Sequence, residues 1–315
     1  MIKLNLVKPR FFGRTPGIFA FKSVVFLSIV LSGLPAWGQS HSGQNSQLRF
    51  DASASIDWAR GELSAQVDFD LAQAGIRLPA GRYLGEETLR EAYPALIRPF
   101  LLSLRVDSNS TIRNLVDSGE VSLEALDTLC LDAEKVPPSL SPDLTRMTGR
   151  YRISTEKISA FLTRHSRPVE PEHPLFPVPA ADYTGIIIIA DEQLPVHGRR
   201  AKALMEPCLF PKIWDTNMNL VYERNMISSN IMVRYAVREN IFRPTPSGLE
   251  GDLAAFAGPN PLRIIAREVF GINPTDPVID REDALRILST ENNRRLLREG
   301  RVVLVLNARG LVSNL

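Results

Sequence analysis

Apolar and polar residues follow three different rhythms along this chain, and each rhythm predicts a kind of element. Leu63, Ala65, Val67 and Phe69 alternate with polar residues. A period of two puts them on one face of a strand. Residues 53–58 and 62–69 therefore read as two strands of a hairpin joined at Ala59-Arg60-Gly61. From Gly85 to Leu104 the period changes: Leu89, Tyr93, Leu96, Ile97, Phe100, Leu101 and Leu104 recur at helical spacing. Pro94 and Pro99 interrupt that pattern. A proline inside a helix removes a backbone donor and crowds the preceding turn, at about 3 kcal/mol, so a kinked or two-piece helix is expected. The third rhythm is continuous. Ile186-Ile187-Ile188-Ile189, bounded by Gly185 and by Asp191-Glu192, is too short for a buried helix. β-Branched residues pack well on a pleated surface, so the run predicts a strand covered on both faces.

The same reading extends to the rest of the chain. In the first half it gives a short helix through Val116, a helix over 121–129, strands over 131–136 and 147–153, and a closing helix over 155–165. In the second half, residues 212–214 and 220–222 flank a polar turn, and short helices are expected over 231–240 and 249–257. Residues 262–266 look like a strand. Asp280, with Asp283 three residues on, has the spacing of a helix-capping box. A further helix carries Arg294, Arg295 and Arg298 and stops at Gly300, where cations suit the helix dipole. Residues 301–306 form a second buried strand, placed near the isoleucine strand.

Prolines at 168, 171, 174, 177 and 179 favour extended polyproline geometry and mark a linker. Val24 to Leu34 is an apolar stretch behind five basic residues, shorter than the roughly 20 residues of a spanning helix. With Pro35 and the small residues Ala36 and Gly38 after it, this segment reads as a cleaved export signal; the alternative is an uncleaved anchor, since Ile18 to Leu34 is nearly continuous except for Lys22. The expected division is a signal peptide, 1–38; a disordered start, 39–47; an N-terminal α+β domain, 48–165; a proline-rich linker, 166–181; a C-terminal mixed α/β domain, 182–307; and a tail, 308–315. The fold class is thus α+β or mixed α/β, in two small domains, each a short-stranded sheet packed with helices.

Export changes the charge picture. The 37 basic residues fall to 32 once Lys3, Lys8, Arg10, Arg14 and Lys22 leave, against 35 acidic ones, a formal charge of −3. Nucleic-acid binding, which needs a concentrated basic surface, loses its support. Cys130 and Cys208 have apolar neighbours and read as free, buried thiols. No cysteine follows the signal, so the expected location is the periplasm without lipidation, and without a spanning helix if the signal is cleaved.

The chain contains no phosphate-cradling Gly-Lys-Ser/Thr loop, no Gly-x-Gly-x-x-Gly, no His-Glu-x-x-His, no Cys-x-x-Cys and no Gly-x-Ser-x-Gly. No catalytic residue, cofactor or metal is therefore expected. His165 and His173 flank the start of the linker without acidic or thiol partners, and His197 has no obvious partner in sequence. Asp191 and Glu192 are the candidate ligand or interaction site, because open α/β sheets place ligands at the carboxyl ends of their strands. Arg199 and Arg200 join them as candidate anion contacts.

Tyr183-Thr184-Gly185-Ile186-Ile187-Ile188, then Phe210-Pro211-Lys212-Ile213-Trp214-Asp215, then Val221-Tyr222, resemble the C-terminal half of the FlgP-like flagellar lipoprotein family. Asn260 to Ala266, Asp283 to Leu288 and Arg301 to Leu306 continue the order, and Ile56 to Gly61 and Arg105 to Thr111 extend it into the first half. Two features depart from the family. Ala190-Asp191-Glu192-Gln193-Leu194 stands where members carry Asp-Ala-Arg-Gly-Leu, and a lipidated cysteine is missing. The resemblance implies a non-enzymatic envelope role, with self-association and flagellar motor or envelope proteins as partners. Two other readings compete: a general envelope protein of the same fold, and a periplasmic ligand-binding protein or hydrolase working at Asp191-Glu192.

Overall fold

The computed structural model describes residues 50–315 apart from 164, 166, 228–232 and 243–250. The expected signal peptide, the disordered start with His41, and the first residues of the helices expected at 231 and 249 lie outside the described residues. In the first half, β1 (Phe50–Asp57) and β2 (Glu62–Asp70) form the expected hairpin. Its turn needs Gly61, whose φ is +65°. Then come α1 (Arg82–Ser103), α2 (Ile112–Asp117), α3 (Leu123–Leu131), β3 (Glu134–Leu140), β4 (Arg146–Ser154) and α4 (Thr155–Leu162). The alternation of β2 is realised in full: Leu63, Ala65, Val67 and Phe69 are buried and their polar neighbours are not.

Of the two forms expected for the first long helix, the two-piece one is corrected, because α1 is one continuous element of 22 residues with Pro94 and Pro99 inside it. Gly85, Leu89, Tyr93, Ile97 and Leu101 fall four apart and are all buried. The donors lost at Pro94 and Pro99 would have served the carbonyls of Arg90 and Ala95, which belong to exposed residues, so water takes over and the packed face holds the helix together. Prolines 137 and 138 are absorbed differently. They sit in β3, an edge strand, at a shift of register between Val136 and Ser139, where a missing donor breaks no ladder.

The second half starts with β5 (Ile186–Ile189), all four residues buried. After it come β6 (Leu194–Pro195), β7 (Lys202–Ala203), β8 (Ile213–Asp215), β9 (Leu220–Tyr222), β10 (Arg234–Ala236), α5 (Arg238–Phe242), α6 (Gly251–Ala257) and β11 (Leu262–Ile265). The chain ends with β12 (Glu268–Phe270), β13 (Asp276–Ile279), α7 (Arg281–Leu288), α8 (Glu291–Arg298), β14 (Val302–Val305), α9 (Ala308–Leu311) and β15 (Val312–Asn314). Strands β10, β14, β5 and β11 form a parallel sheet in that order, with Ile187 beside Val303 on one side and Arg263 on the other. One face of it, Ile186, Ile188, Val302 and Leu304, belongs to the main apolar cluster. The other, Ile187, Ile189, Val303 and Val305, meets Ile241 and Ala257 in a smaller one. A second sheet has the order β12-β13-β8-β9.

Three further expectations change. Residues 231–240 were expected as one helix, but Tyr235 and Ala236 are buried in β10, paired to β14, and only then does the short α5 begin. Asp280 precedes α7 but does not cap it with its side chain; the carboxylate instead accepts from Arg267 Nε at 2.7 Å. Residues 308–315, expected as a tail, are ordered. They form α9 and then β15, which pairs antiparallel with the open edge of β1. The first-half sheet therefore has the order β15-β1-β2-β4-β3 and contains a strand from the far end of the chain.

The described residues belong to one unit, and its main apolar cluster takes in residues of both halves. Trp58 meets Tyr235 edge-on at 5.7 Å, and its amide donates to Leu311 O at 2.8 Å. The proline-rich segment bends at Leu175-Phe176 and is tied down on either side of that bend. Val169 N donates to Asn225 O (2.8 Å) and Val178 N to Ser289 Oγ (2.9 Å), while Glu170 pairs with Arg298.

Candidate functional site

The carboxyl ends of the parallel strands bring Asp191, Glu192, Arg238 and Asn307 together. Arg238 follows β10, Asp191 follows β5 and Asn307 follows β14. The Arg238 guanidinium grips the Asp191 carboxylate in a two-pronged pair, with Nη2 to Oδ1 at 2.6 Å, and lies 3.7 Å from Glu192. Asn307 Nδ2 donates to Asp191 O at 3.2 Å. The Arg238 hydrogen bond holds the Asp191 carboxyl below its ordinary range, against the opposing effect of partial burial. Asp191 is thus a charged strut between two strand ends, poorly suited to giving or taking a proton near neutrality. Arg199 and Arg200 are exposed on the turn between β6 and β7 and pair with neither Asp191 nor Glu192. The structure brings the two acids of the sequence-predicted set to one place and leaves the two arginines apart from them.

His197 has the partner that the sequence did not reveal: its Nδ1 lies 2.6 Å from Glu268 Oε2, with Phe270 edge-on to the ring. His165 Nε2 lies 2.8 Å from Ile227 O, and His173 is exposed on the linker. Among the described residues no group of three or more His, Cys, Asp or Glu is arranged to hold a metal ion.

The most heavily built polar region joins the two halves. Loop 105–110 runs between segments 206–210 and 271–276: Leu209 N donates to Arg105 O (3.0 Å), Phe210 N to Val106 O (2.7 Å) and Asn273 N to Ser108 O (3.1 Å). Arg105 also pairs with Glu206. At its centre lies Asp276, fully buried, whose Oδ1 accepts from Lys212 N (3.2 Å) and Thr275 Oγ1 (3.0 Å). Burial raises the Asp276 carboxyl, and these donors, with Ser108 and Trp214, oppose the rise. Tyr235 closes the far side, donating to Cys208 O at 2.7 Å and accepting from Cys208 N at 3.0 Å. Gly271 has φ +119°, and a Cβ there would meet Ser108 Cβ at 2.4 Å, so the joint requires glycine at that point. Beside it a cavity of about 250 Å³, lined by Trp58, Arg60, Thr155, Glu156 and Arg234, opens between the halves.

The Tyr183-Thr184-Gly185 motif serves a joint as well. Thr184 Oγ1 donates to Ala257 O (2.8 Å) and accepts from Asn260 N (2.9 Å). A Cβ on Gly185 would lie 2.6 Å from Ala257 O, so only glycine lets the end of α6 close on the start of β5. Asn293, buried on α8, accepts from Tyr183 N (3.0 Å) and donates to Ala181 O and Arg286 O (both 3.0 Å). Asp215 accepts from the amides of Asn217 (2.9 Å) and Asn219 (2.8 Å) and so folds the turn between β8 and β9. Sequence reasoning missed Asp276 and Asn293. Asp276 stood out only as a polar residue before the apolar Val278-Ile279, and Asn293, between Asn292 and Arg294, carried no local signal.

Two family models match the chain in succession. Residues 49–161 match the model described as Treponema pallidum Tp0624, N-terminal domain. Residues 185–308 match the one described as Treponema pallidum Tp0624, second domain. Each matched segment holds a small sheet with helices, and the proline-rich segment lies between them. The chain is similar to that protein over two consecutive domains, and neither description mentions a flagellum. No curated protein matches the chain.

Proposed function

We propose that this protein is a non-enzymatic scaffold or assembly protein of the periplasm, working with the flagellar motor. One observation carries the reading: the fixed polar and glycine positions described above fasten chain segments to one another. Thr184, Gly185, Asp215, Asp276 and Asn293 each close a joint. Asp191, the best placed acid, is a strut held by Arg238. Fixed polar residues spent in this way give a rigid body whose outer surfaces are free for assembly. The basic, apolar leader supports export, and the ordered resemblance to the FlgP-like family supports the flagellar setting. Among the described residues no helix is long and apolar enough to cross a membrane.

The experiment is deletion of the gene, with swimming assays, imaging of the motor and fractionation of the tagged protein. Loss of motility with an altered motor, and recovery of the protein from the periplasm, is the expected result. Normal swimming and an intact motor would remove the flagellar part. The second reading is an envelope protein of the same fold without a flagellar role. Cell-shape or envelope-permeability defects in a motile deletion strain would select it. Residence in the cytoplasm would overturn both.

A further inference from the structure

Three segments meet around the cavity of about 250 Å³ between the halves: the β1–β2 turn with Arg60 and Gly61, the start of α4 with Thr155 and Glu156, and β10 with Arg234. Thr155 is only 5% exposed, yet its hydroxyl has no hydrogen-bond partner among the described residues. Among those residues the one partnerless side-chain oxygen or nitrogen that is sealed from solvent is Tyr222 Oη. The Thr155 hydroxyl therefore opens into the space that it lines, which is this cavity. Gly61 leaves room for it, since a Cβ there would lie 2.9 Å from Thr155 Oγ1. Polar groups on buried residues are nearly always satisfied, so a free one facing a cavity points to a ligand.

That hydroxyl is not needed by the helix. Ser154 caps α4, its Oγ accepting from Lys157 N at 3.2 Å, and Thr155 N donates to Gly61 O at 2.8 Å. Glu156 N, the other amide of the first turn, has no partner among the described residues, and the positive end of the helix dipole lies at the same place. Arg234 is held over the ring of Phe256, 4.7 Å from its centroid, and its Nη2 lies 3.5 Å from Glu156 Oε1. A pair this long to an exposed carboxylate is weak, so a positioned guanidinium keeps most of its five donors free. Arg60 adds a second guanidinium, with Asp57 at 3.7 Å. The free hydrogen-bonding positions are thus donors, and two guanidiniums against the Glu156 carboxylate leave the lining positive.

We infer that this cavity binds an oxyanion, the carboxylate or phosphate group of a small molecule, on Thr155, Arg234 and Arg60. The planar fork of an arginine matches either group with two parallel hydrogen bonds. The volume sets the size: about 150 Å³ takes benzene, and drug-sized ligands need roughly 300–1,000 Å³, so the ligand is a small anion. Thr155 and Arg60 come from the first half and Arg234 from the second, so a bound anion clamps the halves together and stabilises the folded chain. The inference goes beyond the scaffold reading and does not depend on it.

The test is titration calorimetry and thermal melting of the purified protein with sodium phosphate in one arm and sodium succinate in the other, each against sodium chloride at equal ionic strength. Up to about 10 mM, at least one arm should saturate and raise the Tm above the chloride control. The arm that does so tells a phosphate site from a carboxylate site. Thr155→Val keeps the shape of the side chain and the Ser154 cap, and should raise the Kd about 10-fold, as for a lost hydrogen bond to a charged group. Arg234→Gln should raise it about 10-fold or more. Arg199→Gln, which removes an exposed arginine outside the cavity, should leave it unchanged. Three results would overturn the proposal: no saturable binding in either arm, a Kd unaltered by Thr155→Val and Arg234→Gln, or a loss in Arg199→Gln as large as in Arg234→Gln, which would mean diffuse attraction to surface charge. Circular dichroism checks the folding of each variant, and where Arg234→Gln is unfolded, Thr155→Val decides. None of these results bears on the scaffold reading, which the deletion strain tests separately.

Discussion

Replacing Ile188 by alanine tests whether the two halves unfold as one body. Ile188 is fully buried in β5, between β14 and β11, and faces the main apolar cluster. The substitution removes three carbons, about 2.4 kcal/mol at roughly 0.8 kcal/mol for each buried CH₂ group. The cavity left in a sheet flanked on both sides brings the loss to about 3–4 kcal/mol, within the range of large-to-alanine changes in cores. For a body of this size that corresponds to a fall in Tm of about 6–15 °C. The cluster containing Ile188 also contains Ile56, Leu63, Leu89 and Ile97 of the first half, so the first half should be destabilised by the same amount. Urea titrations in a Trp214→Phe background of the chain from Gln39 onward, which lacks Trp37, leave Trp58 on the β1–β2 turn as the tryptophan reporter and far-UV circular dichroism as the reporter of the whole. The two signals should move together to one lower midpoint. If Trp58 kept its wild-type midpoint while the dichroism moved or split, the halves would be independent and the argument from a shared core would fail.

Three other outcomes are expected. Burial raises the Asp276 carboxyl, so between the ordinary carboxylate range and that raised value the folded state binds more protons than the unfolded one. Its contribution is full below the unfolded pKa and is lost as pH rises through the folded one. Asp276→Asn should remove that fall, and equal slopes of urea midpoint against pH for variant and wild type would contradict the assignment. Burial pushes the Cys130 thiol up to about 12 and the Cys208 thiol higher still. Neither should react with a thiol reagent until the chain is unfolded, and rapid native-state labelling by mass spectrometry would refute this. Chymotrypsin should cut first after Leu175, since Pro177 protects the bond after Phe176. A first cut inside β5 or β14 would mean that the strands open before the exposed segment.

Local rhythm carried far in this chain. The alternation of Leu63 to Phe69, the isoleucine run and the Val302 to Val305 strand all lie where the pattern puts them, because each pattern is set by burial of the element itself. Readings went astray where a distant partner decided the outcome. Tyr235 and Ala236 are in a strand because β14 supplies an edge some 70 residues on. Residues 312–314 are in a strand because the edge of β1 is open to them. For α1 the penalty at Pro94 and Pro99 was judged without knowing that the affected carbonyls belong to exposed residues.

The candidate site shows the same limit more sharply. Asp191 was visible because strand ends in open sheets are recognisable from sequence, but its partner Arg238 lies 47 residues away and turns a candidate acid into a strut. Asn293 and Ala181 are 112 residues apart, and Asn273 and Ser108 are 165 apart. No window along the chain joins such pairs. What the Asn293 and Asn273 contacts have in common is chemical. Each is a buried or half-buried polar group satisfied by backbone, and removing one partner leaves the other unpaired, at about 1–3 kcal/mol. Residues held by that penalty are fixed by the need to close the body, whatever the body does. Specificity for a ligand must then reside in groups that the fold does not need. The Thr155 hydroxyl meets that condition: carried by a buried residue, it closes no joint and opens into the cavity between the halves.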